Sequence, residues 1–237
     1  VKIALISDIH GNLQALEAVL ENIEREQVEQ IVCLGDVAFK GPQPHEVVNL
    51  LKQQNCLFVL GNTDAVLFNP PTEQEIAALS GEARTVAECF RWTADNLTAD
   101  DWAFLRRFAD TQDLAVGDGQ RLLCFHGSPT SAEARIHPDT DDKRLAALLA
   151  DTDANFYAGG HVHVQFLRPL GSAVFINPGS VGFSRSGNDR RLAEYAVLDF
   201  FDQGYYVKFK QLAFDWAKTV QIAKSVNPPH LDWLLTS

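Results

Sequence analysis

The chain has 237 residues, and 31 Asp and Glu outweigh 20 Lys and Arg to give a net charge of −11, which argues against an extended surface for a nucleic-acid backbone. Hydrophobic residues make up 46% and charged residues 22%, ordinary globular usage, and no apolar run is long enough to cross a bilayer. The cysteines Cys33, Cys56, Cys89 and Cys124 form no C-x-x-C pair, which sets aside a zinc knuckle and favours free, buried thiols.

The opening VKIALISDIHG enters a strand pattern at once, Lys2–Ile6, from which a cytoplasmic protein without a leader is expected. In NLQALEAVLENIERE, Leu13, Leu16, Leu20 and Ile23 fall on one helical face. A strand at 31–34 follows. PHEVVNLLKQQN is a second helical pattern, with Pro44 in its first turn and Val47, Val48 and Leu51 on one face, and a third strand follows at 57–60. Strand, helix, strand, helix, strand predicts right-handed parallel βαβ units. From about 70 to 110 the chain reads as helical, with a cap at Thr98 before Trp102, Leu105 and Phe108. This segment is expected to be an inserted lobe or cap within a single domain, 1–237. Further strands are expected at 122–125, Phe156–Ala158, 173–176, 193–198 and 205–209, the last two forming an antiparallel hairpin.

The strands end alike. The first runs into Ser7-Asp8-Ile9-His10-Gly11, the second into Gly35-Asp36 and the third into Gly61-Asn62; later ones run into His126-Gly127, Gly159-Gly160-His161-Val162-His163 and Asn177-Pro178-Gly179-Ser180. Taken singly, each has an ordinary reading: Asp8 and His10 as helix-start residues, Asp36 and Asn62 as turn residues, His126 as a hydrogen-bonded buried histidine. Taken together, four of the chain's seven histidines lie at strand ends, where parallel α/β sheets bind ligands along one edge. Imidazoles, carboxylates and one amide oxygen suit Mn, Fe, Co, Ni or Zn, and the lack of thiolates argues against a structural zinc site. Asp8, His10, Asp36, Asn62, His126, His161 and His163 are too many ligands for one catalytic ion. Two divalent ions that share a carboxylate account for them.

This ordered set resembles the signature of the calcineurin-like metallophosphoesterases. The segments GPQPHEVV, HGSP, NPGSVG and YAVLDF are similar to a bacterial and archaeal branch of small phosphodiesterases and diadenosine-tetraphosphatase-like proteins. The resemblance implies an α/β, four-layer sandwich of mixed sheets flanked by helices with an inserted helical cap. It implies a first metal on Asp8, His10 and His163, a second on Asn62, His126 and His161, and Asp36 bridging both. It also implies a catalytic centre of Asp36, Asn62, residue 63 and His126, hydrolysing phosphodiester, phosphomonoester or phosphoanhydride bonds through a metal-bridging hydroxide. The substrate would be a small phosphorylated molecule, nucleotides included. A metal-bound regulatory or binding protein of the same fold is the alternative.

The chain departs from the family at Thr63, where a histidine usually contacts phosphate and helps to protonate the leaving oxygen. A threonine can bind phosphate but supplies no proton near neutral pH. His45 is the replacement considered from sequence, and Arg185, Arg190 and Arg191 are considered for phosphate contacts. G-x-S-x-G, a P-loop and a strand-linked G-x-G-x-x-G are all absent, so serine esterase, P-loop nucleotide and dinucleotide chemistry have no support.

Overall fold

The computed structural model describes residues 1–150, 152–185, 191–202 and 204–236, without the side chains of 235 and 236. Its first half comprises β1 (Lys2–Ile6), α1 (Leu13–Glu26), β2 (Gln30–Cys33), α2 (Pro44–Leu51), β3 (Cys56–Phe58), α3 (Asn62–Leu67), α4 (Glu73–Ala78), α5 (Gly81–Asp95) and α6 (Ala99–Leu105). Then come β4 (Thr111–Ala115), β5 (Arg121–Phe125), α7 (Asp142–Leu148), β6 (Phe156–Ala158), β7 (Gln165–Leu170), β8 (Ala173–Pro178), β9 (Leu192–Phe201), β10 (Gly204–Ala213), α8 (Trp216–Val226) and α9 (Leu231–Thr236).

The strands form two sheets, ordered β10-β9-β1-β2-β3 and β4-β5-β6-β8-β7. In the first, β1, β2 and β3 are parallel as expected, while β9 runs antiparallel to β1 and joins β10 in the expected hairpin. In the second, β5, β6 and β8 are parallel, with β4 and β7 added antiparallel at the two edges.

Alternation along the strands builds the layers. Ile3, Leu5, Val32 and Leu34 from one sheet meet Leu122, Cys124, Phe156, Ala158, Val174 and Ile176 from the other in a core between the sheets. The intervening Ala4, Ile6, Ile31 and Cys33 face outward, where Leu16, Val19 and Leu20 of α1, Val47 and Leu51 of α2, and Phe90 and Ala94 of α5 cover them. On the opposite outer face, Leu123, Phe125, Tyr157 and Phe175 pack on Leu145 of α7. Helix, sheet, sheet, helix is the four-layer, mixed-sheet sandwich expected above. All four cysteines are free, and Cys33, Cys89 and Cys124 are buried as expected, whereas Cys56, on the edge strand β3, is only half-buried.

Local signals fix the helix starts. The Asn12 side chain accepts from Ala15 N at 3.3 Å to open α1, and Thr98 with Asp101 forms a capping box at α6. The segment around 70–110 folds as α4, α5 and α6 against the first sheet's helical layer, where Phe90 stacks on Phe39 with ring centroids 3.7 Å apart. Among the described residues no helix is long and apolar enough to cross a membrane.

Leu5 is fully buried between the sheets. Leu5→Ala should therefore destabilise the fold by about 2–5 kcal/mol, read as a lowered urea midpoint with an unchanged slope.

Candidate metal centre

Five of the seven ligand candidates hold left-handed backbone: Asp8 at φ 53°, His10 at 50°, Asp36 at 55°, His161 at 67° and His163 at 60°. Each such non-glycine residue is strained by about 1–2 kcal/mol and persists only where its surroundings fix it. Here the loops lock one another. Past the end of β1, Asp8 N donates to Gly35 O at 3.0 Å, His10 N to Asp36 O at 2.9 Å and Gly11 N to Val37 O at 2.8 Å. From the loop after β8, Val181 N donates to Ser7 O at 2.9 Å and the Ser180 hydroxyl to Asp8 O at 2.7 Å. Asn177 Nδ2 donates to Gly160 O at 2.8 Å, tying the His161 turn to the end of β8, from which that loop departs.

Each carboxylate is pinned by one oxygen and leaves the other for the site. Asp8 Oδ2 accepts from the Ser7 hydroxyl at 2.6 Å and from His161 N at 3.0 Å, while Oδ1 lies 3.1 Å from His163 Nε2 and has no hydrogen-bond partner. Asp36 Oδ1 accepts from Thr63 N at 2.9 Å. Its Oδ2 lies 3.7 Å from His10 Nε2 and 3.5 Å from His126 Nε2. Asp64, which the sequence reading passes over, builds this loop: its carboxylate accepts from Asp36 N at 2.8 Å, Val37 N at 2.9 Å and Gly61 N at 3.2 Å.

The imidazoles are oriented from behind. Nδ1 of His10, His126 and His163 lies 3.1, 2.6 and 2.8 Å from the carbonyl oxygens of Phe39, Leu34 and Phe183. A carbonyl only accepts, so each Nδ1 carries the hydrogen and each neutral ring turns an Nε2 lone pair inward. The Nε2 atoms of His10 and His163 are 3.1 Å apart, an arrangement that repels unless a cation or proton lies between them. Asn62 Oδ1 lies 2.9 Å from His126 Nε2 and 3.0 Å from His161 Nδ1. Two donor groups result: Asp8, His10 and His163, and Asp36, His126 and His161, with Asn62 against the second. These buried, converging lone pairs fit divalent transition-metal ions.

The charges are tuned accordingly. Burial opposes ionisation of Asp8, yet His163 and His126 hold its carboxyl at about 2. Burial likewise opposes Asp36, but His126 and His10 and the Thr63 N–H keep it below the usual carboxylate range. Burial pushes His10 down to about 4, and burial with the His126 charge lowers His161, Arg135 adding to the effect. His126 goes the other way: its burial disfavours the charge, but Asp36 beside it raises the ring to about 10. Burial and the Asp36 charge push Asp64 up to about 6.

A cleft of about 220 Å³ opens over the two groups. His10, Asp36, Asn62, Thr63, His161 and His163 form its floor, and Phe39, Lys40, Arg135, His137, Val162, Arg185 and Trp233 complete the lining. Of the residues considered from sequence for substrate contact, Arg185 lies at the cleft. His45 is placed elsewhere: Pro44 starts α2 there, and the ring turns to Asp101 of α6, with Nδ1 2.7 Å from its carboxylate. Arg191 lines a different surface with Ala213 and Trp216, and Arg190 lies outside the described residues. No residue of 70–110 lines the cleft. Its walls come instead from residues the sequence reading missed: Lys40, Arg135, His137 and Trp233. None stands in a periodic pattern. Lys40 is held by ring contacts, its ammonium 4.2 Å from the Phe183 centroid and 5.1 Å from that of Trp233.

Residues 1–203 match the family profile described as the calcineurin-like phosphoesterase superfamily domain. The chain is 28% identical to the uncharacterized protein MJ0912 of Methanocaldococcus jannaschii, with 98% of this chain and 95% of that protein covered. It is 28% identical to phosphodiesterase YfcE of Escherichia coli K12, with 84% and 87% covered. Among solved structures, a metallophosphoesterase from Sphaerobacter thermophilus superposes with a TM-score of 0.74 at 26% identity, covering 99% of this chain and 96% of that one.

A hydrogen-bonded proton on His126 competes with any ion at the second group. Because that ring is raised to about 10, metal binding at neutral pH must expel its proton. Mn²⁺ titrated into metal-free protein should release protons, and its affinity there should fall about tenfold per unit as pH is lowered from 9 to 7. Gly160 offers a second check, since an added Cβ would lie 2.0 Å from Ser7 Oγ and 2.8 Å from Asp8 Oδ2. Gly160→Ala should weaken metal binding at the Asp8 group while the circular dichroism of the fold persists.

Proposed function

This chain belongs to the calcineurin-like phosphoesterase superfamily, and from that premise we propose that it is a phosphoesterase acting with two divalent metal ions. One observation carries the reading: Asp36 Oδ2 stands between the two donor groups, 3.7 Å from His10 Nε2 and 3.5 Å from His126 Nε2. Asp8, His10 and His163 would hold one ion and Asn62, His126 and His161 the other, with Asp36 shared. When bound, such ions activate water at neutral pH and neutralise charge on the phosphoryl oxygens, so no serine or cysteine nucleophile is needed.

The chain's own residues do the rest. Backbone carbonyls behind the histidines accept from Nδ1 and aim Nε2 inward, as the atom that would meet an ion once any proton on it is released, and the Thr63 N–H holds Asp36 in place. Arg185, Arg135 and Lys40 give the cleft a cationic rim in an otherwise acidic protein, which supports a small phosphorylated substrate, nucleotides included. Similarity to a phosphodiesterase supports diesters within that class. We read the helical segment at about 70–110 as an insertion within one domain, and the protein as cytoplasmic.

Metal-reconstituted protein should hold two ions per chain, counted by elemental analysis, and hydrolyse bis(p-nitrophenyl) phosphate with Mn²⁺. Asp36→Asn should disturb both positions and lower kcat by at least about 10²-fold, whereas His163→Ala should empty mainly one. Reproducibly less than one ion in the wild type would refute the reading. Two stoichiometric ions without turnover of the activated diester would favour a metal-bound regulatory protein.

A further inference from the structure

Expulsion of an alkoxide from phosphorus needs a proton at the leaving oxygen, and the cleft has a short inventory of groups able to give one. His10, His161 and His163 belong to the donor groups, the Thr63 hydroxyl does not ionise near neutral pH, and Lys40, Arg135 and Arg185 form the cationic rim assigned above to the phosphate. Among the described residues that line the cleft, one imidazole remains. We propose that His137 is the general acid of this site. The assignment rests on the phosphoesterase reading above and gives the proton that Thr63 lacks a source other than His45.

His137 is exposed, but its backbone is fixed. It lies in the loop from β5 to α7, which begins at His126 and therefore starts from the second donor group. Ile136, 2% exposed, is anchored in the core under the second sheet with Leu145 and Tyr157. Arg135 and His137 flank this anchor and both line the cleft, and the charge of Arg135 reaches His161. Beyond it the chain closes a turn: His137 N donates to Thr140 Oγ1 at 2.7 Å and Thr140 N to His137 O at 3.1 Å. The Arg168 guanidinium, from β7, donates to Pro138 O at 3.3 Å and also to Thr140 O, clamping the turn from the second sheet. A proton donor held on such a turn can meet a leaving group that enters from the open side of the cleft.

In the step assigned, water forms a new bond to phosphorus as the bond to the leaving oxygen breaks. The His137 imidazolium passes its Nδ1 or Nε2 proton to that oxygen, and the proton lost by water returns through solvent to the neutral ring. Ester and water become phosphate and alcohol. General-acid assistance of this kind is worth about 10²–10⁴ in rate for a basic leaving group and far less for a nitrophenolate.

The test compares metal-loaded wild type, His137→Ala and His137→Gln at equal metal occupancy. The substrates are a nitrophenyl ester and an alkyl or nucleoside ester of the same phosphoryl group. Both variants should lose about 10²–10⁴ in kcat on the alkyl ester, and at least about tenfold less than that on the nitrophenyl ester. An equal loss on the two esters, or none, overturns the assignment. A wild type that cleaves only the nitrophenyl ester also overturns it and leaves the phosphoesterase reading standing. A wild type that cleaves neither ester, with both metal positions filled, overturns both.

Discussion

Lone pairs pointed at one another repel, and this fold gathers them at one edge. Nε2 atoms 3.1 Å apart and an unpartnered Asp8 oxygen can be held in that position only by forces applied from outside the site. The forces are visible in the backbone. Left-handed φ at five ligand candidates turns their side chains inward, and hydrogen bonds between the loops after β1, β2 and β8 stop those loops from relaxing. The two-sheet core supplies the rigidity, because the loops diverge from strands that are buried on both faces.

The same logic explains which side chains surround the ligands. Asp64 accepts from three backbone N–H groups of the Asp36 and Gly61 turns, so the second and third strand ends move as one unit. Ser7 and the His161 N–H take one oxygen of Asp8 and thereby choose which oxygen faces the cleft. Carbonyl oxygens choose the histidine tautomers. None of these contacts touches a substrate, yet each decides which atom a bound ion would meet.

The sequence made the centre of the molecule legible and its margins not. Strands buried on both faces are continuous apolar runs, so β1, β2, β5, β6 and β8 could be read directly. Strands β4 and β7 could not, because neither is a continuous apolar run: TQDLA offers little apolar surface, and QFLRPL carries Pro169, which its place at a sheet edge tolerates. The ligand candidates stood out because histidine, aspartate and asparagine recurred after strands. The cleft walls did not, because Lys40, Arg135, His137 and Trp233 are brought there by loop paths and by the packing of α9 rather than by any period. His45 shows the cost of judging by nearness in sequence to Asp36, since one helical turn was enough to point it at Asp101.

The position of β1 sets the order in which this molecule can assemble. Its β2 partner follows within about 30 residues, but its β9 partner pairs Lys2 with Asp199, almost 200 residues later. During synthesis the strand therefore waits with one open, apolar edge until the β9–β10 hairpin arrives. Contacts that distant in the chain make folding slow and leave nascent chains exposed to edge-to-edge association. Residues 8 and 10 are synthesised well before the loop after β8 that closes over them, so the centre is finished late in time.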